Sequence, residues 1–242
     1  MATTNQTTSL STTPKKKWYH TIWGRLILLF IVFTCAGILI FGWYVTQLAK
    51  QLQTQNQNSE ILQTILEKLK QPGPNVFNND GRPHLGNPEA KIKIVEFFDF
   101  NCPYCRESYP IIRKISTQHK NDVEIILRNY PLIEESSKTL ALAGECANEQ
   151  GLFWNLHDNF FQTNAPAEKI ILLAKKSGLN MTQFTSCLEN QKYIANVNKD
   201  IMLAEQIGAR GTPTWVINGH RFDGVIKYDI FEQIINALNQ DL

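Results

Sequence analysis

The stretch that most limits the fold is Lys91–Phe100, KIKIVEFFDF, which ends just before Cys102-Pro103-Tyr104-Cys105. It alternates at first and then turns continuously apolar, the pattern of a strand buried in the middle of a sheet. Past the cysteines, Tyr109–His119 carries apolar residues at helical spacing, and Val123–Tyr130, VEIILRNY, reads as a second strand. The unit is β-α-β with a CxxC at the strand-to-helix turn, and a helical crossover makes its two strands parallel. An α/β fold is therefore expected.

The remaining pattern fills in around this unit. Residues 71–89 hold Pro72, Gly73, Pro74, Gly81, Pro83, Gly86 and Pro88 and read as linker and turns. Ser136–Gln150, Phe153–Gln162, Pro166–Lys176 and Met181–Gln206 carry helical periodicity, with breaks at Gly151, Asn164–Pro166 and Gly178. Two short strands follow, Thr214–Asn218 and His220–Val225, split by Asn218-Gly219, a strong hairpin turn signal. Tyr228–Leu238 closes the chain as an amphipathic helix.

Upstream, Leu26–Val45 runs for 20 residues without a charge, the length an α-helix needs to cross a bilayer. Trp18, Tyr19 and Trp23 precede the run and Trp43 and Tyr44 close it, as interfacial aromatics do. A cleaved signal peptide has a shorter apolar region and a small-x-small site, which Trp43–Gln47 does not offer. Lys15, Lys16, Lys17 and Arg25, with no acid in the first 25 residues, hold the N-terminus in the cytoplasm. The expected layout is a cytoplasmic tail over 1–21, a single transmembrane anchor over 22–46, a helical stalk or linker over 47–73, and an outward-facing domain over 83–242. The outward side is usually oxidising. Taking those four cations from the formal charge of +2 leaves −2 for the rest, so no basic face argues for nucleic acid. Within residues 47–70, Ile61, Leu62, Ile65, Leu66 and Leu69 form an apolar stripe. Its partner is either a second copy, which would make a homodimer, or the globular domain.

The CxxC can be a metal hook, a staple or a reactive dithiol. Small zinc sites need four ligands, usually two CxxC pairs or one with two histidines. The other cysteines are Cys35, Cys146 and Cys187, and His84, His119, His157 and His220 show no ligand spacing, so no metal and no cofactor is expected. A structural CxxC disulfide closes a very short loop and adds little stability. A redox pair fits better. Cys102 opens a helix, where free N–H groups and the helix dipole favour a thiolate, so it is expected to be the exposed nucleophile. Cys105, one turn on, is placed to resolve a mixed disulfide, and Pro103 supplies a helical φ at the first helical position. Glu96 is a further candidate: facing inward, its raised pKa would let it exchange a proton with Cys105; facing outward, it is an exposed acid. Alternation does not decide between these. Asp99 reads as a turn residue near the rim.

Three motifs in order, VEFFDFNCPYC, ECANEQGLFWNLHDNFF (Glu145–Phe161) and GARGTPTWVINGHRFDG (Gly208–Gly224), resemble the DsbA-like family of thioredoxin-fold disulfide oxidoreductases. The resemblance covers about residues 83–242. It implies a thioredoxin fold with an inserted helical domain at about 134–207, preceded by a single N-terminal transmembrane helix. It implies that Pro213 is cis and sits against the CxxC, that the Thr212 backbone pairs with an extended substrate, and that Pro103 and Tyr104 flank that substrate. Phe153 and Trp154 match an aromatic pair of the insert and read as core packing. Some members resemble this chain in carrying a second, non-catalytic disulfide in the insert. A Cys146–Cys187 bond is expected on that basis, two separate buried thiols being the alternative. The implied function is a membrane-tethered thiol:disulfide oxidoreductase of the bacterial inner membrane. Its periplasmic domain would oxidise exported cysteine-containing proteins and be reoxidised by a membrane redox partner. An isomerase or reductase is the alternative within the class, strengthened if residues 47–70 dimerise. A chaperone or scaffold without turnover is the alternative outside it.

Overall fold

A computed structural model describes residues 22–69, 80–163 and 167–240; the expected tail 1–21 and linker residues 70–79 lie outside them. The chain divides into two compact units between Gln57 and Asn58. The first holds most of α1 (Ile22–Leu69), a helix of 48 residues that runs through both the expected anchor and the stalk. At 1.5 Å per residue it is about 70 Å long. Among the described residues it is the one helix long and apolar enough to cross a membrane.

The second unit is built on one mixed sheet of five strands: β1 (His84–Gly86), β2 (Ile92–Phe98), β3 (Val123–Asn129), β4 (Thr214–Ile217) and β5 (His220–Asp223). Their order is β1-β3-β2-β4-β5. β2 and β3 run parallel, in register from Ile92 opposite Val123 to Phe98 opposite Asn129, with α2 (Pro103–Gln118) as their crossover. β4 lies antiparallel on the other side of β2, and β5 returns beside it. Asn218 and Gly219, at φ +45° and +90°, make the tight turn between β4 and β5. Both positions need the left-handed region, which Asn and Gly tolerate.

Side chains alternate across β2. Ile92, Ile94 and Phe98 join a core shared with Ile112 and Ile115 of α2 and with Ile230, Phe231, Ile234 and Ile235 of the last helix, Tyr228–Gln240. Val95 and Phe97 face the other way, onto Ala204. Both faces of β2 are covered, as its continuously apolar end requires. Two residues of the α1 stripe, Ile65 and Leu69, pack against the first core, while Ile61 is 46% exposed. Lys68 donates to the Arg221 carbonyl at 2.6 Å and lies over the Phe222 ring.

Between β3 and β4 stands the helical insert: α3 (Ser137–Glu149), α4 (Phe153–Thr163), α5 (Ile170–Lys176), α6 (Met181–Glu189) and α7 (Ile194–Gln206); the closing Tyr228–Gln240 is α8. Cys146 of α3 and Cys187 of α6 are joined by a disulfide, Cα to Cα 5.9 Å. Phe153 is buried among Phe98, Phe100 and His157, and the Trp154 indole donates to the His84 carbonyl at 3.1 Å. The insert is also tied to the sheet by buried charge. Asp200 of α7 accepts from Arg82 at 2.9 Å, from Arg128 of β3 at 2.8 Å and from the Asn129 backbone at 3.1 Å.

Two elements differ from the sequence reading. The span 181–206 is two helices, broken at 190–193, where Gln191 takes φ +47° with no glycine or proline to signal it. Strand β1 lies inside the stretch read as linker. It ends at Gly86, φ +85°, where any side chain would meet the Val123 carbonyl.

Candidate active site

β2 ends at Phe98, and four residues carry the chain to the start of α2. Cys102 is the N-cap, with extended backbone, and Pro103 holds the first helical position. An N-cap faces the N–H groups that the first turn leaves unpaired. These donors act on the Cys102 sulfur. Its pKa is lowered from 9.0 to about 6, first by the Cys105 thiol and then by Thr212 and the Cys105 and Tyr104 backbone; burial opposes them. Cys105 is pushed the other way. Burial raises its pKa well above the ordinary value, reinforced by the Cys102 hydrogen bond and by electrostatic coupling to the nearby Glu96 carboxyl. One turn of helix thus holds an acidic thiol and a reluctant one.

Glu96 faces inward. It lies on the side of β2 that α2 covers, between Leu127 of β3 and Trp215 of β4, and is 2% exposed. Burial raises its pKa well above the carboxylate range, with a contribution from Cys102. Alternation along β2 does not reveal this, because both faces of the strand are buried.

The third component comes from far along the chain. The Thr212–Pro213 peptide is cis, and the Cys102 thiol donates to the Thr212 carbonyl at 3.1 Å. This contact corrects the expectation of an exposed nucleophile: Cys102 is 1% exposed. The helix start that makes it acidic is legible locally, whereas the loop that covers it lies 110 positions away. Tyr104, by contrast, is 61% exposed. Cys102, Cys105, Glu96, Thr212, Pro213, Pro103 and Tyr104 therefore gather at one end of the sheet. Cys146 and Cys187 stay in the insert and take no part in the cluster. Asp99, read as a turn residue, is buried as well. Among the described residues, no three His, Cys, Asp or Glu side chains gather as a metal site needs.

This site sits on a pattern shared with known proteins. Residues 78–237 match the family described as Thioredoxin. The chain belongs to the thioredoxin family. Its mixed sheet with an inserted helical layer is a thioredoxin fold of the DsbA-like kind. Among solved structures, a thioredoxin-like oxidoreductase from Silicibacter pomeroyi DSS-3 is 28% identical, with a TM-score of 0.62 over 69% of this chain and 95% of the other. A probable disulfide bond formation protein D from Bacillus anthracis is 26% identical over 90% of this chain and 97% of its own length. The Na(+)/H(+) antiporter NhaA 1 of Salinispora arenicola is 28% identical over 86% of this chain but only 32% of its own. The chain thus spans about a third of the length of the antiporter relatives it matches.

Proposed function

We propose that this chain is a membrane-tethered thiol:disulfide oxidoreductase that forms disulfides in exported, cysteine-containing proteins through Cys102 and Cys105. The observation that carries the reading is the asymmetry of the pair, an acidic Cys102 at a helix N-terminus beside a Cys105 buried near Glu96.

The chemistry follows from that asymmetry. In the oxidised enzyme, a substrate thiolate attacks the Cys102 sulfur of the Cys102–Cys105 disulfide. A mixed disulfide forms at Cys102, the old S–S bond breaks, and Cys105 leaves and takes up a proton, which Glu96 supplies. A second substrate thiolate then attacks the substrate sulfur, and Cys102 departs as a thiolate. The substrate loses two electrons and the pair gains them. A membrane quinone-linked redox partner would remove those electrons and restore the disulfide. The low pKa of Cys102 makes it a good leaving group and stabilises the reduced pair, which makes the oxidised pair a stronger oxidant. At about 6 it falls between about 7 for thioredoxin and about 3.5 for DsbA. Thr212 and the cis Pro213 are read as the edge on which an extended substrate pairs, displacing the Thr212 carbonyl from Cys102. Pro103 and the exposed Tyr104 lie where that substrate would pass.

Support for oxidation comes also from the Bacillus anthracis relative, whose name is disulfide bond formation and which aligns along nearly its whole length. In this reading residues 1–21 are cytoplasmic, 22–46 anchor the chain in the bacterial inner membrane, 47–73 form the stalk, and 83–242 work outside. The Cys146–Cys187 bond braces the insert. The test is the reduction potential of Cys102–Cys105, measured against glutathione. A value toward about −120 mV supports an oxidase, and one near about −270 mV would assign a reductase instead.

A further inference from the structure

Asp99 takes no part in the exchange itself, yet it is 2% exposed and both its carboxylate oxygens accept backbone N–H groups. One carboxylate oxygen accepts the Asn101 N–H at 2.9 Å; the other accepts those of Leu132 and Ile133 at 2.9 and 2.8 Å. The Asp99 carbonyl accepts the Cys102 N–H at 3.0 Å. Asn101 extends the tie by donating to the Ser136 and Ser137 hydroxyls at 2.9 and 3.0 Å. The loop so tied presents Leu132 and Ile133 to solvent, each 43% exposed.

We propose that Asp99 is a positioning residue that locks the Cys102 turn and the apolar Leu132–Ile133 loop into one rigid edge, so that the nucleophile and the surface a substrate chain meets move together. The proposal rests on the redox reading of the pair. Its physical basis is that an ionised carboxylate is an acceptor on both oxygens, and here both oxygens face N–H donors. Asparagine has the same shape but one acceptor. Either amide orientation turns an NH₂ group onto a backbone N–H, and the donor left without its acceptor carries a desolvation cost. Shape alone therefore does not replace Asp99.

The test uses the full chain in detergent with Asp99→Asn, following two readouts that need no turnover. One is Cys102 titration by ultraviolet thiolate absorbance; the other is amide exchange at Leu132 and Ile133. In the variant the Cys102 titration should move up by about one unit, because the Tyr104 and Cys105 donors are no longer held on the sulfur. Exchange at Leu132 and Ile133 should speed by about tenfold or more. Ile133→Pro removes one of the three N–H groups without touching Asp99, and should shift the titration in the same direction by less. Wild-type titration together with wild-type amide protection in Asp99→Asn overturns the proposal. If that variant does not fold, an unchanged titration in folded Ile133→Pro overturns it. The redox reading fails separately, if wild-type Cys102 titrates as an ordinary thiol; amide protection still judges Asp99 in that case.

Discussion

Cys102 and Cys105 stand one turn apart at the N-terminus of α2, whereas Cys146 and Cys187 join two helices of the insert across 41 positions. Burial does not separate the pairs: the first two are each 1% exposed, the second two 0% and 6%. What separates them is the polarity around sulfur and the length of chain enclosed. Cys102 accepts from the Cys105 thiol first, then from Thr212 and the N–H groups of a helix start, and is held as an acid. Cys146 belongs to the same apolar core, but its sulfur is bonded to Cys187 and holds no proton to lose. A CxxC bond closes too short a loop to restrain the unfolded chain, while a loop of 41 positions is worth roughly 3–4 kcal/mol in the chain-entropy account. Reactivity here follows local donors rather than exposure.

The largest effect should come from breaking the asymmetry at its centre. Cys102→Ser leaves the fold and the second disulfide intact but removes the sulfur that forms the mixed disulfide. Oxidation of a reporter dithiol peptide should fall to the rate without enzyme, with the circular dichroism of the folded protein unchanged. A wild-type protein that does not oxidise the peptide, together with holdase activity that survives in this variant, would point to a binding protein rather than an enzyme. The converse change is Cys146→Ala with Cys187→Ala. It should lower the unfolding free energy by about 3–4 kcal/mol in denaturant titration, while the Cys102 titration of the folded protein stays in place. A shifted titration would show that the two pairs are coupled.

How far these contrasts were legible in the sequence differs by residue. The CxxC between an apolar strand and a helix marks the reactive pair, because strand, turn and helix are all local patterns. The hairpin is equally plain, whereas the cis Thr212–Pro213 peptide against the CxxC is expected only through the family resemblance. The orientation of Glu96 is not, since period-two alternation informs only when one face of a strand is wet, and β2 is covered on both. The cover over Cys102 and the Leu132 and Ile133 donors on Asp99 arise between segments far apart in the chain, which no local pattern encodes. The break at 190–193 was invisible because Gln191 adopts a positive φ that its residue type does not announce.

Glu96 tests whether the buried half of the reactive pair needs a proton partner, which the bonded pair does not. Glu96→Gln keeps the shape and removes the exchangeable proton. Turnover of the reporter peptide should fall by about 10²-fold, the lower end for positioned proton transfer, while the first alkylation of Cys102 is little changed. Equal loss in both assays would reduce Glu96 to a packing residue.

The sharpest test of the comparison is pH. Cys102 is held at about 6 against an ordinary 9.0. The reactive species is the thiolate, so alkylation of the reduced protein should be flat well above pH 6 and fall tenfold per unit below it. The same shift enters stability with a definite sign. A pKa lowered on folding contributes stability that is complete above the unfolded value near 9 and is lost as pH falls through 6. The reduced protein should therefore gain on the oxidised one as pH rises from about 6 to 9. Cys105, raised well above the ordinary value, stays protonated across that window and does not cancel the gain. The Cys146–Cys187 bond does not titrate and is present in both forms, so it drops out of the difference. Paired denaturant titrations of the two redox forms across this range measure the gain directly. A difference that does not change with pH would mean that the helix start leaves Cys102 an ordinary thiol, and the contrast between the two pairs would then reduce to loop length alone.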